Sequence, residues 1–232
     1  MSFLRRGAGK DVLLLHGYGS KKESFYYQIN FLKKNYTVTA VDFPAFGASE
    51  APDGAWGVGD YAAWLKKFIL VAGLDKPHII AHSFGARVAI KLLAQNPNLC
   101  EKLIITGGAG LVKPRSPQYI RRVKRYRLIK KMFPRYAEKH FGSEEYKKLS
   151  PVMKESYKKI VNEDLKEFAA KISNQTLLVY GNEDTVTPAA EEGETFARLI
   201  KDSKLIITDG GHFAFSEYPN TFNTIISQFL SE

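Results

Sequence analysis

Residues 79–87 read IIAHSFGAR, an apolar run that breaks at a serine flanked by small residues. The run predicts a buried strand and the residues after the serine predict a helix, so the serine lies on a sharp turn between them. Such a turn needs small residues two positions before and two positions after the serine, because the backbone there passes close to neighbouring elements. Ala81 and Gly85 meet this requirement. Ser83 is therefore a candidate nucleophile, provided that another part of the chain supplies a base within reach of its hydroxyl.

On both sides of this turn the chain alternates short apolar strands with amphipathic helices. Strands are predicted at 11–15, 37–41, 78–82, 102–106, 176–180 and 204–208, and helices at 23–34, 60–71, 84–95, 188–200 and 219–230. Thr187 and Pro188 are interpreted as the N-cap and the first residue of the helix that runs to about Ile200. The alternation predicts an α/β fold with a doubly wound, mostly parallel sheet of about six strands. Residues 2–6 add at most one short edge strand.

The alternation stops after the fourth strand, where residues 111–171 form a helical, basic insertion. Within it, residues 113–171 hold 18 Lys and Arg against 7 Asp and Glu, an excess that accounts for the formal charge of +10 on the whole chain. Residues 119–133 predict a basic amphipathic helix whose apolar side covers a pocket. A solvated outer face is the simplest role for the charge, and steering of anionic substrates or contact with a membrane surface or nucleic acid stay open. The predicted core then comprises residues 1–110 and 172–232.

The composition fits one soluble domain. The 232 residues are 44% hydrophobic, and no apolar run approaches the ~20 residues that a membrane-spanning helix needs. No secretory signal is recognised at the amino end, and the single cysteine, Cys100, cannot form an intramolecular disulfide. We therefore expect a cytoplasmic protein.

The order of the candidate motifs resembles that of the α/β-hydrolase family, whose nucleophile lies in a small-x-Ser-x-Gly turn. Ala81 stands where most members have glycine, which is a mild departure. The resemblance covers nearly the whole chain except the insertion, and it implies that residues 111–171 form a helical lid. It further implies a catalytic triad in the order serine, acid, histidine, and an oxyanion hole formed by the backbone N–H groups of Tyr18 and Phe84.

Two residues are predicted to complete the triad. His212 follows the sixth strand in DGGHF, residues 209–213, where two glycines let the loop place an imidazole freely. Asp184 follows the fifth strand, and its nearest rival is Glu183. The spacing Gly-x-x-Asp found in the family favours Asp184. Both residues come at the carboxyl ends of strands, where ligands of parallel sheets gather.

Several polar residues near these motifs receive structural interpretations. His16 is expected to support the oxyanion loop, and His82, directly before the nucleophile, is expected to point away from the site. Asp42 is expected to cap a loop. Arg87, one helical turn after Ser83, fits a structural ion pair or loop hydrogen bond better than an anion-binding site.

Taken together, the motifs and the resemblance predict a serine hydrolase that cleaves a small-molecule carboxylic ester, with an anionic ester kept as one option. C–C bond hydrolysis of a β-diketone-like compound is the alternative that uses the same triad, and a non-catalytic small-molecule receptor on the same scaffold is the alternative from another functional class. The sequence has no Cys-x-x-Cys or His-x-Glu-x-x-His pattern for a metal and no phosphate-binding loop, so no cofactor, metal or nucleic-acid partner is expected. The oligomeric state is left open.

Overall fold

Seven strands form one sheet in the computed structural model, which describes residues 1–112 and 149–232 together with residues 118, 121, 123–126, 132 and 146. The strands are β1 (Ser2–Arg6), β2 (Lys10–Leu15), β3 (Tyr36–Asp42), β4 (His78–His82), β5 (Lys102–Thr106), β6 (Gln175–Gly181) and β7 (Ser203–Thr208). Their order across the sheet is β1-β3-β2-β4-β5-β6-β7. In this sheet β1 pairs antiparallel with β3, and the pairs from β3 to β7 are parallel. The predicted fold class is confirmed, and the six predicted strands agree with β2 to β7 to within one residue at either end.

Helices cover both faces of the sheet. They are α1 (Tyr26–Leu32), α2 (Val58–Val71), α3 (Phe84–Leu93), α4 (Pro151–Asn162), α5 (Lys166–Ala169), α6 (Glu194–Leu199), α7 (Ala214–Glu217) and α8 (Pro219–Ser231), with 3₁₀ turns at Lys22–Phe25 and Pro97–Leu99 and a π-helix at Ala189–Gly193. Strand β2 shows how two cores arise, since successive side chains of a strand point to opposite faces. Leu13 and Leu15 pack in one apolar cluster with α2 and α3, whereas Val12 and Leu14 pack in a second cluster with α1 and α8.

The helix predicted to begin at Thr187 and Pro188 starts differently. Pro188 takes the N-cap position of the π-helix, and α6 follows directly at Glu194. The prediction that Thr187 is the N-cap is therefore wrong. The physical reason is that the N–H and the hydroxyl of Thr187 both donate hydrogen bonds backward to the side chain of Asp184.

Helices α4 and α5 lie in the connection between β5 and β6. Ile160 in α4, Ala169 in α5 and Leu165, directly before α5, belong to the same buried apolar cluster as the side chains of α2 and α3. The predicted basic helix over 119–133 lies outside the described residues except for 121, 123–126 and 132, which are helical. No helix within the described ranges has the length and apolar character needed to span a bilayer.

Candidate active site

The turn between β4 and α3 holds Ser83 in an uncommon backbone conformation. Its φ and ψ are 50° and −106°, a positive φ that non-glycine residues adopt only when the surrounding structure imposes it. The Ser83 N–H donates to the Thr106 carbonyl on β5, and the Ser83 carbonyl accepts from Ala86 in α3. A Cβ at Gly85 would lie 2.4 Å from the Leu15 carbonyl oxygen, so only glycine fits there. The predicted strand, turn and helix are all present.

The loops that follow β4, β6 and β7 bring three polar side chains into a row. His212 Nε2 lies 3.0 Å from Ser83 Oγ, and His212 Nδ1 lies 2.8 Å from Asp184 Oδ2. The three residues are far apart in the sequence and meet because the carboxyl ends of parallel strands share one edge of the sheet. Glu183, the rival acid, is exposed to solvent.

Asp184 is held in its ionised form. Burial opposes ionisation, but hydrogen bonds from His212, the Thr187 N–H and the Thr187 hydroxyl outweigh it and lower the pKa of Asp184 to about 2. Asp184 Oδ1 also accepts from the Val186 N–H at 2.8 Å. Because an ionised carboxylate only accepts hydrogen bonds, Nδ1 of His212 carries the proton in this network, and the lone pair of Nε2 faces the hydroxyl of Ser83.

Two backbone N–H groups beside Ser83 have no hydrogen-bond acceptor among the described residues. They belong to Tyr18, in the loop after β2, and to Phe84, the first residue of α3. Both residues line the same cavity as Ser83. Free donors of this kind stabilise a negative charge that develops on a bound carbonyl oxygen.

A cavity of about 570 Å³ opens in front of Ser83. Its described lining is largely apolar and includes Leu111, Tyr157, Ile160, Val161, Val186 and Phe213. Arg87 and Glu192 add two buried charged side chains to this lining. A site that is mainly apolar with a few polar groups is typical of one that binds a small organic molecule.

Arg87 fits its structural interpretation. Its Nη1 donates to the Ile160 carbonyl at 3.1 Å and the Glu163 carbonyl at 3.0 Å, at the carboxyl end of α4. A cation at this end of a helix satisfies carbonyl groups that have no partner within the helix. Arg87 thus ties α4 to α3 beside the cavity.

His16 supports the oxyanion loop, as predicted. It is fully buried, and its Nδ1 donates to the Gly17 carbonyl at 2.7 Å while its Nε2 accepts the Phe43 N–H at 3.0 Å. Burial lowers the pKa of His16, which keeps the ring neutral as this pair of bonds requires. Asp42 caps its loop, accepting from the N–H groups of Lys22 and Ala48 and from Lys22 Nζ.

The prediction that His82 points away from the site is wrong. Its Nε2 lies 3.0 Å from the His212 carbonyl oxygen, and its ring centroid lies 4.8 Å from that of His212. The reason is that the ring lies between the loop after β2 and the loop that carries His212, instead of turning toward the sheet core.

Sequence reasoning also missed the role of Thr187, whose hydroxyl lies 2.7 Å from Asp184 Oδ2 and 3.2 Å from His212 Nδ1. A signal was present, because a threonine three residues after an aspartate often closes a side-chain-to-backbone turn. No group of three or more His, Cys, Asp or Glu side chains in the described parts of the chain is placed to hold a metal ion.

Comparisons with known proteins agree with this architecture. A family model described as the alpha/beta hydrolase fold matches residues 11–164. A 2-hydroxy-6-oxo-6-(2'-aminophenyl)hexa-2,4-dienoic acid hydrolase from Metapseudomonas resinovorans is 27% identical over 99% of this chain and 87% of its own length. A pimeloyl-(acyl-carrier protein) methyl ester esterase from Aeromonas salmonicida is 23% identical over 99% of both chains. Among solved structures, an esterase from Exiguobacterium antarcticum superposes with a TM-score of 0.79 at 22% identity, covering 99% of this chain and 95% of its own.

Proposed function

Since this chain belongs to the α/β-hydrolase family, we propose that it is a serine hydrolase that cleaves a carboxylic ester of a small molecule through an acyl-enzyme intermediate. The observation that carries the proposal is the hydrogen-bonded row of Ser83, His212 and Asp184 at the mouth of a cavity. The hydrogen bonds of the three side chains fit the roles that acyl transfer needs.

In the first half-reaction Ser83 Oγ attacks the ester carbonyl carbon while His212 Nε2 takes the hydroxyl proton. Asp184 stabilises the imidazolium that forms and keeps the ring oriented. The carbonyl oxygen becomes an oxyanion, which accepts hydrogen bonds from the N–H groups of Tyr18 and Phe84. When the tetrahedral intermediate collapses, the alcohol leaves with the proton from His212 and the acyl group stays on Ser83.

The second half-reaction repeats these roles with water as the nucleophile. His212 Nε2 takes a proton from the water, whose oxygen attacks the acyl carbon. Collapse of the second intermediate returns that proton to Ser83 Oγ and releases the carboxylic acid. The free enzyme is regenerated, and one water molecule is consumed for each ester that is cleaved.

We propose that the substrate is an anionic ester, and the charge of the insertion supports this. Residues 113–171 hold 18 Lys and Arg against 7 Asp and Glu, so the insertion would attract a substrate that carries a carboxylate. A rise in ionic strength is then expected to lower kcat/KM for p-nitrophenyl hemisuccinate and to leave that for neutral p-nitrophenyl butyrate unchanged. Equal salt dependence of the two esters would remove this part of the proposal.

The test of ester hydrolysis is turnover of p-nitrophenyl esters of graded chain length by the wild type and by Ser83→Ala. Loss of the nucleophile is expected to lower kcat on the order of 10⁴-fold or more. Circular dichroism of both proteins controls for folding. Equal rates in the two proteins would remove the mechanism.

C–C bond hydrolysis is the second candidate, because one of the relatives reported above is named as a dienoic acid hydrolase and matches 99% of this chain. The same three side chains serve either reaction. Product analysis with a vinylogous β-diketone acid separates the two. Cleavage of its carbon–carbon bond at rates above those of the ester panel would favour this second candidate.

A further inference from the structure

We propose that His82 is a positioning residue, which holds the backbone of His212 so that the His212 imidazole stays in line with Ser83. This inference rests on the proposed hydrolase function. His82 ends β4 directly before Ser83, is 1% exposed, and touches the loop that carries His212.

The hydrogen bond fixes the tautomer of His82. A carbonyl oxygen only accepts, so the 3.0 Å contact with the His212 carbonyl requires the proton on His82 Nε2. The other ring nitrogen, Nδ1, is then an acceptor, and it is buried without a hydrogen-bond partner among the residues that the structure describes. Burial lowers the pKa of His82 to about 3, so the ring stays neutral when His212 takes up a proton.

The unpaired Nδ1 means that histidine is not the most stabilising side chain for this position. A buried polar atom without a partner destabilises a fold, and an aromatic side chain without nitrogen would avoid that cost. The surroundings would accept an aromatic ring without nitrogen, because the His82 ring packs against Phe213 and Phe215 at centroid distances of 5.0 and 4.8 Å. What histidine adds at this position is the N–H donated to His212.

The His82 ring also separates two loops of the site. On one side it contacts the loop of His212, where Gly210 has a φ of 112° and gives the chain conformational freedom. On the other side it lies against Gly17, where an added Cβ would come within 2.8 Å of His82 Nδ1. Gly17 directly precedes Tyr18, whose N–H faces the developing oxyanion. His82 therefore sets the distance between the base and the oxyanion loop.

The experiment compares His82→Phe, which keeps the shape and loses the donor, with His82→Gln, whose side-chain amide nitrogen takes the place of Nε2. The matched control is His78→Phe, since His78 lies at the opposite end of β4 and its buried Nδ1 also has no partner within the described part of the chain. Each protein is assayed for kcat and KM on a short ester, for the rate at which a fluorophosphonate labels Ser83, and for Tm.

For His82→Phe we expect kcat and the labelling rate to fall by about 10- to 100-fold, because a displacement of ~1 Å in a catalytic group costs up to this much. We expect KM within about twofold of wild type and Tm equal or higher, since the orphaned nitrogen is gone. His82→Gln should regain most of the rate, and His78→Phe should keep wild-type kcat. Where His82→Phe does not fold, His82→Asn replaces it, because its shorter amide reaches the place of Nδ1 and not that of Nε2.

Three results would overturn the inference. Wild-type kcat and labelling rate in His82→Phe, or no difference between His82→Gln and His82→Asn, would show that the donated N–H does not matter. If the His82 and His78 variants lost rate in the same proportion to their loss of Tm, the role of His82 would be purely structural. Absence of labelling and turnover in the wild type would instead refute the proposed hydrolase, and with it the role of His82.

Discussion

The turn that carries Ser83 and the loop that carries His212 are fixed in opposite ways. The turn is rigid through its backbone, since Gly85 lies against the Leu15 carbonyl and the residues of α3 around it are buried. The loop of residues 209–213 is partly exposed and is held by side chains from elsewhere, including Asn182, which accepts from Gly210, and Glu217, which accepts from Gly211. The nucleophile is thus positioned by steric fit, whereas the base is positioned by hydrogen bonds. Ser83 itself apart, substitutions should therefore affect mainly stability at the turn and mainly activity at the loop.

Among substitutions that leave Ser83 in place, the largest effect on activity is expected for Asp184→Asn. The amide keeps the shape of the side chain but no longer favours the proton on His212 Nδ1, so kcat should fall on the order of 10⁴-fold. Because the amide also lacks the stabilising charge of the carboxylate, Tm should fall by several degrees. Glu183→Gln is the matched control, because Glu183 is the exposed neighbour and should keep wild-type kcat. A fall of less than tenfold in Asp184→Asn would mean that hydrogen bonds do not position the base.

The two glycines Gly85 and Gly211 provide a matched test of stability. An added methyl at Gly85 would overlap the backbone of Leu15 and His16, so Gly85→Ala should lower the free energy of unfolding by about 1–3 kcal/mol or more. At Gly211 the nearest atom to an added Cβ is 3.4 Å away, in the flexible side chain of Glu217, and Gly211→Ala should change the free energy by less than about 0.5 kcal/mol. Urea denaturation measures both, and equal losses would contradict the contrast between turn and loop.

A low pH should weaken the hydrogen bond between His212 and Asp184, because the carboxylate of Asp184 becomes protonated. Its folded-state pKa of about 2 lies below the ordinary value of 3.8, so the ionised carboxylate stabilises the folded protein above pH 3.8. This contribution, about 2 kcal/mol, is lost as the pH falls through about 2. We expect the difference in unfolding free energy between wild type and Asp184→Asn to shrink by this amount between pH 5 and pH 2. A difference that is constant with pH would mean that the native hydrogen bonds do not hold Asp184 ionised.

The smallest effect is expected at Thr187. Thr187→Val removes the hydroxyl that donates to Asp184 Oδ2 and keeps the shape and the N–H, so kcat should fall by about 10-fold or less. Thr187→Ser keeps the hydroxyl and should stay near the wild-type rate. Wild-type activity in Thr187→Val would contradict a role for this hydrogen bond, and equal losses in the serine and valine variants would mean that the methyl group matters as much as the hydroxyl.

The contrast between the turn of Ser83 and the loop of His212 also explains how much of the structure could be predicted from the sequence. The turn at Ser83 was predictable because its requirements are local, namely an apolar strand and small residues at fixed spacing. The strands were predictable because residues buried on both faces form continuous apolar runs.

The surroundings of His212 were not predictable in detail. The orientation of His82 depends on His212, which lies more than a hundred positions away in the sequence. The hydrogen bonds of Thr187 depend on the path of one loop. Neither feature produces a periodic pattern in the sequence. Thr187 was mistaken for a helix cap because a threonine hydroxyl can accept from an N–H of the helix that follows it or donate backward to a carboxylate. Substrate preference was not predictable for a similar reason, since the cavity combines residues from α3, α4 and the loops after β2, β5, β6 and β7.

The most direct test of the central claim is to map the site of covalent labelling by a fluorophosphonate with mass spectrometry of the digested protein. If Ser83, His212 and Asp184 act together, the wild type will carry one adduct per chain on Ser83, and His212→Ala will label far more slowly. An unlabelled Ser83 in folded wild-type protein, or an adduct on another residue, would contradict the account.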